Sequence, residues 1–192
     1  MARLQDPANN PTGSFNAPDY VASLVSAGPW HKDQMPLKVY VRKNIQIPGF
    51  YDDFLAAIRG SLDQWCAATS GVISYKLVST AEAANIVCDY TDRRELVSSQ
   101  HELGIDGNTE MLVKQDNSPG PTNLVVLVKD GPNAPAFRKS ALITLCCLHE
   151  VGHALGMHGH SPSSHDVMFP SITLSTAKLS ERDEKTIRRL YQ

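Results

Sequence analysis

Leu37-Lys38-Val39-Tyr40-Val41 alternates between apolar and polar positions, the period of a strand with one buried face. After the turn at Pro48-Gly49 the period changes. Phe54, Ile58, Leu62 and Trp65 recur at helical spacing, which predicts a helix stopped by Gly71. Val72 to Val78 and Asn85 to Tyr90 read as two more strands, and Met111-Leu112-Val113 as a short one. Thr91 to Thr109 is polar and predicts no element, and Asp116 to Pro121 is turn-rich. Leu124-Val125-Val126-Leu127-Val128 is apolar without a break, so a strand buried on both faces is expected. From Ser140 to Leu155 the chain is apolar nearly all round, a central buried helix ending at Gly156. Ser180-Glu181-Arg182-Asp183 opens a last helix with a capping-box pattern, and Ile187, Leu190 and Tyr191 give it an apolar stripe. Residues 1–29, rich in Pro, Asn, Ser and Gly, predict an irregular leader with little core of its own. The order β-α-β-β-β-β-α-α, without an internal repeat, predicts one mixed α+β domain over residues 30–192.

Composition narrows the class. With 192 residues, 42% hydrophobic and 20% charged, the chain is no disordered tail, collagen-like fibre or disulfide-dense miniprotein. Its 18 basic and 20 acidic residues leave a net charge of −2, which gives no electrostatic case for nucleic acid or an anionic membrane surface. The longest largely apolar run, Ala141 to Leu148, has eight residues including Thr144, against the ~20 a membrane helix needs. A soluble, globular protein is expected, without membrane insertion. Met1-Ala2-Arg3-Leu4-Gln5-Asp6-Pro7 has one early base and no apolar stretch, unlike a secretory signal. The protein therefore stays in the cytoplasm or its sequence starts after a removed signal. Cys66, Cys88, Cys146 and Cys147 show no C-x-x-C spacing. They are expected as free buried thiols, with a Cys66–Cys88 bridge as the alternative in a secreted protein.

The chemistry concentrates in His149-Glu150-Val151-Gly152-His153. Residues four apart lie on one helical face, so both imidazoles reach a single metal ion. Neutral imidazole suits zinc, and a catalytic zinc keeps three protein ligands with one position open for water. Glu150 stands about 100° round the helix, where it acts on that water without ligating the metal. Zinc lowers the pKa of bound water to roughly 7, so a carboxylate takes its proton at neutral pH.

Gly156 then ends the helix, Gly159-His160-Ser161 follows, and Asp166-Val167-Met168-Phe169-Pro170 places a Met beyond the third His. With these features the chain resembles the metzincin zinc peptidases, and among them the matrixin-like branch of bacterial type, over residues 30–192. The resemblance implies a metzincin-like zincin fold: a mixed twisted sheet above a cleft, an active-site helix and a C-terminal helix. It implies one catalytic zinc held by His149, His153 and a third His, with Glu150 as catalytic base and Met168 as the Met-turn floor. The implied function is a zinc-dependent endopeptidase working through a zinc-bound water. Its expected partner is a protein or peptide substrate, taken up by strand addition along an edge near Thr109 to Lys114. A monomer is expected, and the family is extracellular.

Three departures from the pattern stand out. The slot that usually holds the third ligand is Gly159, so the spacing admits either His158 or His160. Gly159 as a flexible residue, Ser161 completing a Gly-His-Ser triplet, and three residues after Gly156 for the reversal favour His160. No Cys lies in the leader, so cysteine-based latency does not operate; read instead as a short inhibitory pro-segment, it would supply a carboxylate to the zinc from Asp6 or Asp19, between which the spacing does not choose. Met168 is followed by Phe169-Pro170-Ser171, without the Tyr of some other metzincins.

Blander readings cover the remaining residues. Cys146 and Trp30 pack, while His31 and His165 belong to the surface. Of His101, Glu102, Asp106 and Asp116, a lone His argues against structural zinc, whereas structural calcium through Asp106, Asn108 or Asp116 stays open. Ser171 to Ala177, the expected pocket wall, carries no readable substrate preference. Two alternatives compete with the endopeptidase. One is a gluzincin-type peptidase with Glu181 or Glu184 as third ligand, against which Met168 and the Gly156/His160 pairing argue. The other is a catalytically weak or inactive zinc-binding module, against which Glu150 argues.

Overall fold

The computed structural model describes residues 2–3, 18–24, 28–97, 107–114, 119–171 and 177–192. Strands β1 (Ala2–Arg3), β2 (Leu37–Val41), β3 (Tyr75–Leu77), β4 (Ile86–Thr91), β5 (Gly107–Val113) and β6 (Pro119–Leu127) form one sheet in the order β1-β5-β6-β4-β2-β3. Pairings β2/β3, β2/β4 and β4/β6 are parallel, whereas β5 runs antiparallel to β6 and β1 antiparallel to β5. The sheet is therefore mixed, and β5 lies one strand in from an edge, meeting β1 at Leu112 and Val113 among the described residues.

Helices α1 (Tyr51–Ala68), α2 (Ser140–Ala154) and α3 (Glu181–Leu190) complete the α+β domain. α2 packs on β5 and β6, α1 on α2, and α3 on α1. Phe54, Ile58, Leu62 and Trp65, the helical stripe of the sequence, are the buried face of α1. None of the described helices is long and apolar enough to cross a membrane.

Two expectations change in the structure. The uninterrupted apolar run of β6 is buried on both faces only toward its end: Leu124 and Val126 enter the core and Leu127 is buried on the opposite face, but Val125 there is half-buried and Asn123 before it exposed. That outer face, with Asp89, Asn108 and Glu110, borders an open cavity of about 290 Å³. Second, the leader contributes to the core, because Tyr20 is buried against α3, its N–H donating to Thr186 Oγ1 at 3.0 Å. All four cysteines are free thiols, as composition suggested. Burial pushes the Cys88 and Cys147 thiols up, and that of Cys66 up to about 11.

Candidate metal centre

α2 delivers His149 and His153 from one face, four residues apart, as its periodicity requires. The helix then closes with a Schellman motif: Gly156 N–H donates to His153 O at 2.9 Å and Met157 N–H to Gly152 O at 3.1 Å. Gly156, at φ +98°, supplies the left-handed turn this needs. The next two carbonyls are satisfied by indole and phenol groups, Trp30 Nε1–H on Ala154 O at 2.8 Å and Tyr191 O–H on Leu155 O at 2.7 Å.

Beyond the reversal, His160 comes back over the helix. One ring nitrogen from each of His149, His153 and His160 lies within 4.8 Å of the others. Ring centroids are 4.6 Å apart for His149 and His153, 5.4 Å for His149 and His160, and 5.2 Å for His153 and His160.

The surroundings fix how the rings present themselves. His149 Nδ1 sits 2.7 Å from Val167 O, and His153 Nδ1 2.7 Å from Met157 O. Carbonyls only accept, so both Nδ1 atoms carry the proton and both Nε2 atoms offer lone pairs. Those Nε2 atoms stand 2.9 Å apart in a buried setting. Two lone pairs so placed repel, and a shared cation removes the repulsion. The donor set and its tautomers fit a metal ion.

The matrixin family model matches residues 30–192. The chain belongs to the matrixin family. Membership makes it a relative of zinc-dependent, metzincin-type metallopeptidases, and the mixed sheet with its helices agrees with that fold. No curated protein matches the sequence.

In this matrixin, Asp166 to Phe169 form a turn beneath α2. Val167 contributes the carbonyl that orients His149, and Met168 is fully buried. Close approach of Met168 depends on Gly152: a Cβ there would collide with the Met168 sulfur and reach 3.0 Å from Trp65 Cζ2. Ser161 ties the His160 loop to this turn through its N–H on Met168 O at 2.8 Å and its hydroxyl on Asp166. Asp166 also accepts from Ser180 Oγ at 2.7 Å and pairs with Arg182 at 2.9 Å.

Asp183, read in the sequence only as part of a capping box, does more. Its carboxylate accepts from Ser180 N–H at 2.8 Å, Val167 N–H at 2.9 Å and the Tyr20 hydroxyl at 2.5 Å. It thus joins the start of α3, the Met168 turn and the leader. Asp183→Ala leaves these buried donors without an acceptor and should cost about 3 kcal/mol, roughly 6–12 °C in Tm. Thermal unfolding of the purified variant checks this.

Other sequence candidates fall elsewhere. Glu181 is exposed and paired with Lys185 at 2.6 Å, and Glu184 with Arg188 at 3.1 Å. Neither joins the His cluster among the described residues, which removes the gluzincin alternative. Asp19 is engaged by Arg189 at 2.9 Å. His158, expected at solvent or the cleft rim, is half-buried with Nε2 3.2 Å from Met111 Sδ of β5. Cys146 is core packing, Trp30 is buried, and His31 and His165 are exposed. Asp6, His101, Glu102, Asp106, Asp116 and most of the 171–177 pocket wall lie outside the described residues. Asn108, the remaining calcium candidate, faces the open cavity on the far side of the sheet.

Proposed function

We propose that the chain is a zinc-dependent endopeptidase in which His149, His153 and His160 hold one zinc ion and Glu150 is the general base. The observation that carries the proposal is the convergence of three imidazole nitrogens within 4.8 Å, next to a buried carboxylate on the same helix. Bound zinc supplies Lewis-acid polarisation of the scissile carbonyl and acidifies the attacking water. Val167 O and Met157 O hold the two helical imidazoles in the tautomer that ligates. Glu150 takes a proton from the attacking water and gives it to the leaving amine. Met168 forms the apolar floor that keeps α2 and the Asp166–Phe169 turn in register. An extended peptide chain would be held along β5 by strand addition, backbone hydrogen bonds giving affinity.

The purified chain should contain about one zinc per molecule and hydrolyse casein. A chelator should abolish the hydrolysis, and added zinc should restore it. Hydrolysis that persists in chelator rejects the metal mechanism. Stoichiometric zinc without hydrolysis favours the inactive zinc-binding module.

A further inference from the structure

Glu150 is fully buried, yet a carboxylate taken from water needs donors to stay where it is useful. β5 meets it with two residues of one strand face, Gly107 and Thr109. Thr109 Oγ1 lies 2.6 Å from Glu150 Oε2 and 3.1 Å from the Glu150 backbone oxygen. A hydroxyl has one proton to donate, and the shorter, charge-assisted contact with the carboxylate takes it. Two positions earlier, Gly107 presses on the same side chain: a Cβ there would lie 2.7 Å from Cδ and closer still to Oε1. β5 is itself fixed by its register with β6, where Gly107 pairs with Val126 and Thr109 with Leu124. The strand therefore confines the Glu150 side chain from two directions.

We infer that Thr109 is a positioning residue for Glu150, its hydroxyl aiming the carboxylate while Gly107 leaves the space that carboxylate occupies. The inference rests on the proposed role of Glu150 as general base. The substrate would meet the β5 backbone, whereas the Thr109 hydroxyl is turned to Glu150 and acts through it. Val has the shape of Thr without the donor, and Ser has the donor without the methyl, so the pair separates hydrogen bonding from packing.

The test uses the full chain loaded with zinc, in wild-type, Thr109→Val, Thr109→Ser and Gly107→Ala forms, read by zinc content, peptide kinetics and crystal structures. Thr109→Val should keep its zinc, turn the Glu150 carboxylate away and lower kcat about 10- to 100-fold with little change in KM. Thr109→Ser should restore both the carboxylate position and most of kcat. Gly107→Ala should displace the carboxylate with the Thr109 hydroxyl still present. A carboxylate that stays in place in both Thr109→Val and Gly107→Ala overturns the inference, as does a Thr109→Ser variant as impaired as Thr109→Val. Because the carboxylate position is read in crystals, a wild-type chain that hydrolyses nothing overturns the peptidase proposal separately.

Discussion

Glu150→Ala should retain zinc and the fold but lose peptide hydrolysis by 10²–10⁴-fold, the usual contribution of a general base. The expectation follows from where the residue stands. His149 and His153 form the cluster with His160, and Glu150, one position along α2, is outside that cluster. Removing its carboxylate takes away a proton acceptor and leaves all three imidazoles. Their Nδ1 contacts also survive, since Val167 O and Met157 O do not depend on Glu150. Zinc content by elemental analysis and the rate on a fluorogenic peptide give the two readouts. A zinc-loaded variant with near-normal turnover would reject Glu150 as the base. Loss of zinc in step with activity would instead make Glu150 part of the metal's support.

What was legible in the sequence was local. The i, i+4 histidines, the glycine that stops α2 and the Ser180 cap each depend on neighbours within one turn, and all three are seen in the structure. The succession of strands and helices along the chain from Leu37 onward was legible for the same reason, though not their order in the sheet. The start of β5 was not: Gly107-Asn108-Thr109-Glu110 looks like loop because neither face is apolar. One face borders the open cavity, and the other receives the Glu150 side chain instead of a hydrophobic one. The Thr109–Glu150 contact spans 41 positions, and that from Tyr20 to Asp183 spans 163, so no periodicity announces either. β6 shows the converse error. Continuous apolarity is compatible with an outer face that borders a cavity at Val125 and is buried at Leu127, and only the neighbouring strands decide which.

The choice between His160 and His158 decides the third ligand, and here spacing alone was silent. The structure gives the two residues different surroundings. His160 lies within reach of both helical imidazoles, whereas His158 is turned to Met111 on β5. Gly159 between them has φ +108°, a left-handed conformation that flips the chain from one side to the other. It has no room for a side chain, because a Cβ would lie 2.6 Å from Ser23 O, where Leu24 bridges to Gly159. The extra residue relative to the usual interval is thus absorbed in a turn pinned by the leader. Ser161 holds the far side of that turn to Met168 O. His160→Ala should therefore lose most of its zinc and all measurable peptidase activity, since two imidazoles leave the site one ligand short. His158→Ala should keep stoichiometric zinc while losing its contact with Met111. Equilibrium dialysis against a competing chelator separates the two without any substrate. An empty site in His158→Ala beside a filled one in His160→Ala would exchange the two assignments.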